Sequence, residues 1–433
     1  MDWLERLGPR IPSLVQFDPM PSVLRYGADS SVSLEFPEGV PVAECGTPPA
    51  TPLDDLDAAV TRALAEPLEY PPLARCTTPG DRVVLALDEG VPQAGQIAAV
   101  VIRVLAASGV QPDGITVLRT ARDAHNGFGD PTGWLPEEVH SRITLAAHDP
   151  DDRRSIAYLA AFEKGEPILL NRLLTDADVV LPIGCVRHWS TAGYHGVYTP
   201  VFPNFSDGGT LLRFRSVETV ERPGRAKRQL AEEADQVGWL LGVALAIQVV
   251  PGPGGRPLAV LAGEVGAIRR RGEKLYKEAW RFSVPRRASL VVAAIEGGSE
   301  QQTWDNMGRA LASAAELVVD GGAIALCSEI ELAPGPAVAE LGSAAGREEA
   351  MRDIRRRRPE DAQSAAQLFH ALDRAQVYLL SRLEPSLVED LEIAPISEAE
   401  ELARLARRHD SCILLSNAPH AVVSTAEDKR SVR

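Results

Sequence analysis

The run Asp81-Arg82-Val83-Val84-Leu85-Ala86-Leu87-Asp88 constrains the fold more than any other stretch. It is bounded by Gly80 and a polar Asp88-Glu89-Gly90 turn, the pattern of a strand buried on both faces. Gln96 to Ala107 reads as the following helix, Ser108-Gly109 stops it, and Gly114 to Leu118 begins another strand. Strand, helix and strand at this spacing make a βαβ unit with parallel pairing. Further strands are expected at Ile143–Ala147, Pro167–Asn171 and Val179–Ile183. Ahead of them, Ser22–Tyr26 and Ser31–Phe36 around Gly27-Ala28-Asp29 read as a hairpin, and Asp54–Glu66 as an amphipathic helix.

Beyond Gly224 the chain reads as one or two helices to Ala246, with the apolar Val237–Val250 stretch in the core. Pro251-Gly252-Pro253-Gly254-Gly255 breaks it. After a strand at Leu258–Leu261 and a basic helix at Ala267–Trp280, a second α/β unit begins: strand Leu290–Ala294, loop Glu296-Gly297-Gly298-Ser299, helix Trp304–Leu317, turn Asp320-Gly321-Gly322 and strand Ala323–Cys327. Strands at Val377–Ser381 and Cys412–Ser416 complete a second sheet. The expected architecture is two α/β domains with mainly parallel sheets and a cleft between them, residues 1–285 and 286–433, with the boundary near Arg281–Pro285.

Three strands of the first unit finish in loops carrying His125, His148 and His188, and in open parallel sheets the ligand crevice lies beyond the carboxyl ends of the strands. The richest loop runs from Ile183-Gly184-Cys185-Val186-Arg187-His188 through Gly193-Tyr194-His195-Gly196. His125 and His188 are candidate acid–base groups, because an imidazole titrates near neutrality. Arg187 and Arg122 are candidate carboxylate anchors, since a guanidinium binds that group in a bidentate fork. Trp189 is a further candidate substrate contact, and His195 a candidate metal ligand or equally a plain loop histidine. Asp88 either caps the next helix or orients a ligand, and Gly297-Gly298 either admits a ligand or makes a tight turn.

A chain of 433 residues with 45% hydrophobic residues has enough apolar material for two real cores. Its net charge of −15 argues against a nucleic-acid surface, and the one basic cluster, Arg355–Arg358, is flanked by acids as on a solvated helix face. Five scattered cysteines without a CxxC pair suggest a reducing compartment. The N-terminus lacks a secretory pattern, and Val237–Val250 is shorter than the roughly 20 residues of a bilayer span. These features predict a cytoplasmic protein with a small-molecule partner, no membrane and no nucleic acid, its oligomeric state open.

The order of these motifs resembles the nickel-pincer lactate racemase family over most of residues 15–425. The residues carrying the resemblance are Leu87-Asp88-Glu89-Gly90-Val91-Pro92, Ala121-Arg122-Asp123-Ala124-His125, His148-Asp149, Ile183-Gly184-Cys185-Val186-Arg187-His188, Glu296-Gly297-Gly298 and Asp320-Gly321-Gly322. The resemblance implies a racemase or epimerase of a 2-hydroxy acid or related carboxylate, working by proton-coupled hydride transfer with His125 and His188 as the two bases. It places the cofactor near Asp88, Gly184, Gly193, Gly196, Thr199, Gly297 and Gly298.

This chain departs from the family pattern at three points. Thr199, or in another register Tyr198, stands where the family has the Lys that holds the cofactor covalently; Phe214-Arg215 stands where it has a nickel-binding His; Val91 replaces its early Arg. A nickel-pincer nucleotide, if bound, is therefore expected to be non-covalent. The alternative is a re-purposed member that binds a small anion without it, and a metal enzyme built on His125, His188 and His195 is the third reading.

Overall fold

The computed structural model describes residues 22–189, 195–221, 223–342 and 346–426. It opens on an antiparallel hairpin, β1 (Ser22–Tyr26) with β2 (Ser30–Leu34), followed by β3 (Val42–Cys45). Helix Leu56–Ala65 comes next, its first turn capped by the Asp55 carboxylate accepting from the Ala58 N–H.

The first sheet is built around β4 (Val83–Leu87), buried at every position as its unbroken apolar run requires. Helix Ala94–Ala107 crosses over to β5 (Ile115–Thr120), and β6 (Thr144–His148) lies beside it, both pairings parallel. β7 (Ile156–Ala161) and β8 (Pro167–Asn171) form a separate antiparallel pair, so the short strand expected at Pro167–Asn171 exists but lies outside the six-stranded sheet. β9 (Val179–Cys185) returns to the other side of β4. The Val237–Val250 stretch is not helical throughout. Helix Pro223–Leu240 ends, Gly242 turns the backbone at φ 73, and β10 (Ala246–Pro251) takes the remaining apolar residues into the sheet. β11 (Pro257–Gly263) closes the edge antiparallel, giving the order β11-β10-β9-β4-β5-β6.

After helix Val265–Trp280, β12 (Arg281–Val284) pairs in parallel with the last strand, β18 (Val422–Thr425). The second sheet contains β13 (Ala288–Ala294), β14 (Val318–Cys327), β15 (Gln376–Leu380), β16 (Ala394–Ile396) and β17 (Cys412–Leu415), all parallel. Asp320–Gly322 lies within β14, where the pairing with β13 shifts register between Ala288 and Leu290. β3 forms this sheet's edge, Val42–Cys45 beside Cys412–Leu415. An early segment of the chain thus belongs to the later sheet, although the sequence groups it with residues 1–285.

Both sheets have a point where the chain leaves adjacent strands in opposite directions: β4 and β9 in the first, β13 and β17 in the second. Ligand crevices form at the carboxyl ends of such strands. The loops after β4, β5 and β9 face segments that follow β13 and β14. Between them the chain crosses over: Phe214 is buried in the first half's core and Val217 in the second's.

Candidate functional site

The facing segments enclose a cleft of about 430 Å³. One wall is the Asp88-Glu89-Gly90 turn after β4, the short helix Ala121–His125 after β5, Arg187 after β9, and His195, Thr199, Asn204 and Arg215. The other comes from helix Trp304–Ala315, which presents Asp305 and Arg309, and from Glu300, Glu360 and Gln367. Asp305 and Arg309 are four apart, which puts both on one helical face.

Asp88 is 2% exposed. Its Oδ1 accepts from the Asn204 amide at 2.7 Å and the Glu89 N–H at 3.0 Å. The His195 Nε2–H points to the Cys185 carbonyl at 2.8 Å and lies 3.1 Å from Asp88 Oδ2, which is left without a hydrogen-bond donor of its own. Burial works against an ionised Asp88, but His195, Arg187 and Asn204 outweigh it and hold its carboxyl below the usual range. Glu89 uses Oε2 to bind Arg122 at 2.6 Å and Arg215 at 3.2 Å, while buried Oε1 has no partner. Burial opposes its charge too, and those two guanidiniums prevail.

Arg122 also reaches Asp305 at 2.9 Å, and Arg215 reaches Glu360 at 2.5 Å, so both arginines tie the halves together. Arg187 and Arg309 differ from them. Arg187 donates to the backbone carbonyl of Glu89 and Arg309 to the Asn306 side-chain amide, and neither has a carboxylate within salt-bridge distance among the described residues. Burial and the nearby Arg187 charge together lower the Arg309 pKa to about 10, against the pull of Asp305. Behind them His420 is driven down to about 3 by burial and by Arg309 and Arg187, which keeps its ring neutral. Asp123 moves the opposite way: burial and the Glu89 charge raise its carboxyl to about 7.

The expected site residues divide between two cavities. His125, exposed at the rim, lines the cleft with Asp88, Arg122, Arg187, His195 and Thr199. His188, Trp189 and Gly196 line a separate pocket of about 220 Å³ with Gln248 and Tyr276; Arg187 and His195 border both. The two expected base histidines thus occupy different cavities. Arg122, offered as a substrate contact, is already held by Glu89 and Asp305. His148 is buried, bonded to the Ser206 carbonyl at 2.8 Å and the Asn171 amide at 3.0 Å, a structural histidine. Gly184 sits inside β9, where an added Cβ would meet the Gln248 side chain at 2.5 Å. Gly297 makes a turn at φ 105, and neither it nor Gly298 lines the cleft. Gly193 lies outside the described residues.

Glu89, Asp123, Arg215, Asp305, Arg309 and His420 were not expected as site residues. Only the Asp305/Arg309 spacing and the exposed-looking Asp88-Glu89 turn signalled any of them, and both patterns also fit ordinary surface.

The residues present do not fit the covalently held pincer cofactor. Thr199 Oγ1 accepts from the Gly196 N–H at 2.8 Å, Tyr198 is buried against Gly238, and no lysine occurs between Lys164 and Lys227. Phe214 is packed on Phe202 with centroids 5.1 Å apart, where the family places a nickel ligand. Among the described residues no group of three His, Cys, Asp or Glu side chains could hold a metal ion, so His195 has no co-ligand set.

Fold and cleft define a two-sheet α/β protein with its site in the cleft between facing segments of the two halves. Residues 26–222 match the family model of the lactate racemase N-terminal domain. The lactate racemase apoprotein from Thermoanaerobacterium thermosaccharolyticum matches over 93% of this chain and 99% of its own, with a TM-score of 0.72 at 16% identity. A structural-genomics protein from Thermotoga maritima matches over 87% and 100%, with a TM-score of 0.63 at 14% identity. The first half of the chain is thus similar to the lactate racemase N-terminal domain, and the whole chain shares the fold of these two structures. No curated protein matches its sequence. Among the described residues no helix is long and apolar enough to cross a membrane.

Proposed function

We propose that the cleft binds a small carboxylate of the 2-hydroxy acid class, and that this chain is a re-purposed family member that does so without a covalently held pincer cofactor. One observation carries the reading: Arg187 and Arg309, from opposite halves, line the same cleft, and neither has a carboxylate within salt-bridge distance among the described residues. A ligand carboxylate between them would supply the missing charge and two-point geometry. Its hydroxyl would meet the acceptors of the first wall, Asp88 and Glu89, the second of which keeps a buried oxygen without a hydrogen-bond partner among the described residues.

The racemase or epimerase reading draws support from the match of residues 26–222 to the lactate racemase N-terminal domain and from His125 on the cleft. Hydride transfer needs an electrophile that the donor set above does not anchor, and His188 opens into the other pocket. The carboxylate-binding reading is tested by calorimetry with lactate and related 2-hydroxy acids on wild type and Arg309→Ala. Saturable binding that the variant loses supports it; equal binding by both, or none by wild type, overturns it. Chiral analysis of recovered lactate, on protein co-produced with the enzymes that make the pincer cofactor, separates a binder from an isomerase.

A further inference from the structure

We propose that Asp123 is the proton carrier of this cleft, holding the proton that a bound ligand takes up or gives back. The exchange with a ligand rests on the carboxylate-binding reading; the assignment of the carrier rests on the surroundings of Asp123.

Asp123 lies inside the one-turn helix Ala121–His125 at the carboxyl end of β5. It is 9% exposed and lines the cleft on one side. On the other it borders a cavity of about 10 Å³, the size of one water molecule. That cavity is also lined by Arg119, whose buried Nε lacks a partner, and by Asp88 and Glu300. Asp123 therefore sits between the ligand space and a buried polar niche, a position from which a proton can reach either.

The charged groups around it leave it uncompensated. Arg122, its neighbour on the same helix, is committed to Glu89 and Asp305, so no cation pairs with Asp123 among the described residues. Glu89 and Asp88 face it from the turn after β4, Asp305 from helix Trp304–Ala315 and Glu300 from the loop ahead of that helix. His125 lies two positions on, pointing elsewhere around the helix. Arg119, on β5, uses Nη1 on the Phe128 carbonyl and lies 3.8 Å from Asp130.

The carboxylates of one cleft are thus driven apart. Asp88, Glu89 and Asp305 are held ionised by their partners, whereas burial and the Glu89 charge keep Asp123 protonated up to neutral pH. Such a split between neighbouring titratable groups marks the acid–base member of a site. The exchange is a proton transfer only: the Asp123 O–H bond breaks, the proton moves to a ligand oxygen directly or through one water, and it returns when the ligand leaves.

The test begins on the unliganded protein. In wild type carrying carboxyl-labelled aspartate, a carbon NMR titration should show an aspartate resonance with a midpoint near 7, absent from the near-isosteric Asp123→Asn. Midpoints confined to the ordinary range around 4, or a neutral midpoint that persists in the variant, would overturn the assignment. Calorimetry with lactate at pH 7, in buffers of different ionisation heat, then reads the proton count on binding. A fractional count in wild type that vanishes in Asp123→Asn supports the exchange, and an unchanged count rejects it. If the NMR midpoint is found but lactate and its relatives do not bind, the carboxylate-binding reading falls while the carrier stands.

Discussion

The two walls of the cleft reach a similar array of charges by different routes. The first wall is assembled from the ends of three strands, and its groups are fixed by backbone: the Glu89 N–H holds Asp88, and the Glu89 carbonyl holds Arg187. The second takes Asp305 and Arg309 from one helix, fixed through side chains such as Ser364 and Asn306. Strand-end groups are set by sheet register, so they tolerate little change. Helix-face groups can be exchanged one at a time with the fold intact.

The largest expected effect is on the first wall. Glu89→Ala leaves Arg122 and Arg215 without their shared partner, and breaking such a buried cluster costs on the order of 3 kcal/mol. Urea unfolding should show it, and a loss below about 1 kcal/mol would mean that both walls are equally tolerant. Next comes Arg309→Ala on the second wall. It should weaken binding of a small 2-hydroxy acid by about 2 kcal/mol or more in calorimetry while unfolding changes little. A matched loss of stability would put Arg309 in the scaffold and erase the contrast.

The strand-end wall was largely legible in the sequence, because a continuous apolar run ending in Asp88-Glu89-Gly90 announces both a buried strand and its polar exit. β4, β5, β6 and β9 lie within a residue or two of their expected positions. The helix wall was not. Asp305 and Arg309 lie on a helix whose other face carries Met307, Ala310, Leu311 and Ala314 into the core, so their spacing reads as a solvated stripe until a second sheet is placed opposite. The pairing of β3 with β17 spans most of the chain and leaves no local signal. The placement of His188 on the second pocket was illegible for a related reason: a strand end specifies the loop, but not which of two adjoining cavities a side chain enters.

A third prediction concerns pH. The His420 pKa is depressed on folding by burial and by Arg309 and Arg187, so the unfolded chain binds the extra proton more readily. The resulting stability is complete above the unfolded value of roughly 6.5 and is lost as pH falls towards about 3. Thermal melts should show wild type losing stability faster than His420→Gln across that window, and parallel curves would dismiss the effect. The smallest change is expected for Arg122→Ala. This half-exposed bridge between the walls should cost less than about 1 kcal/mol, measured by the same unfolding curves.

The placement of β3 also has a consequence for biosynthesis. Residues 42–45 leave the ribosome long before their partners at 412–415 are made. Until then β3 is an unpaired edge, and β1 and β2 lack the Leu290 and Val292 surface that they cover in the finished molecule. The second sheet is completed only once residues 412–415 have emerged, by the slowest kind of contact a chain can form. A fragment starting at residue 286 would lack that edge and hairpin, and is expected to aggregate unless residues 22–45 are supplied in trans.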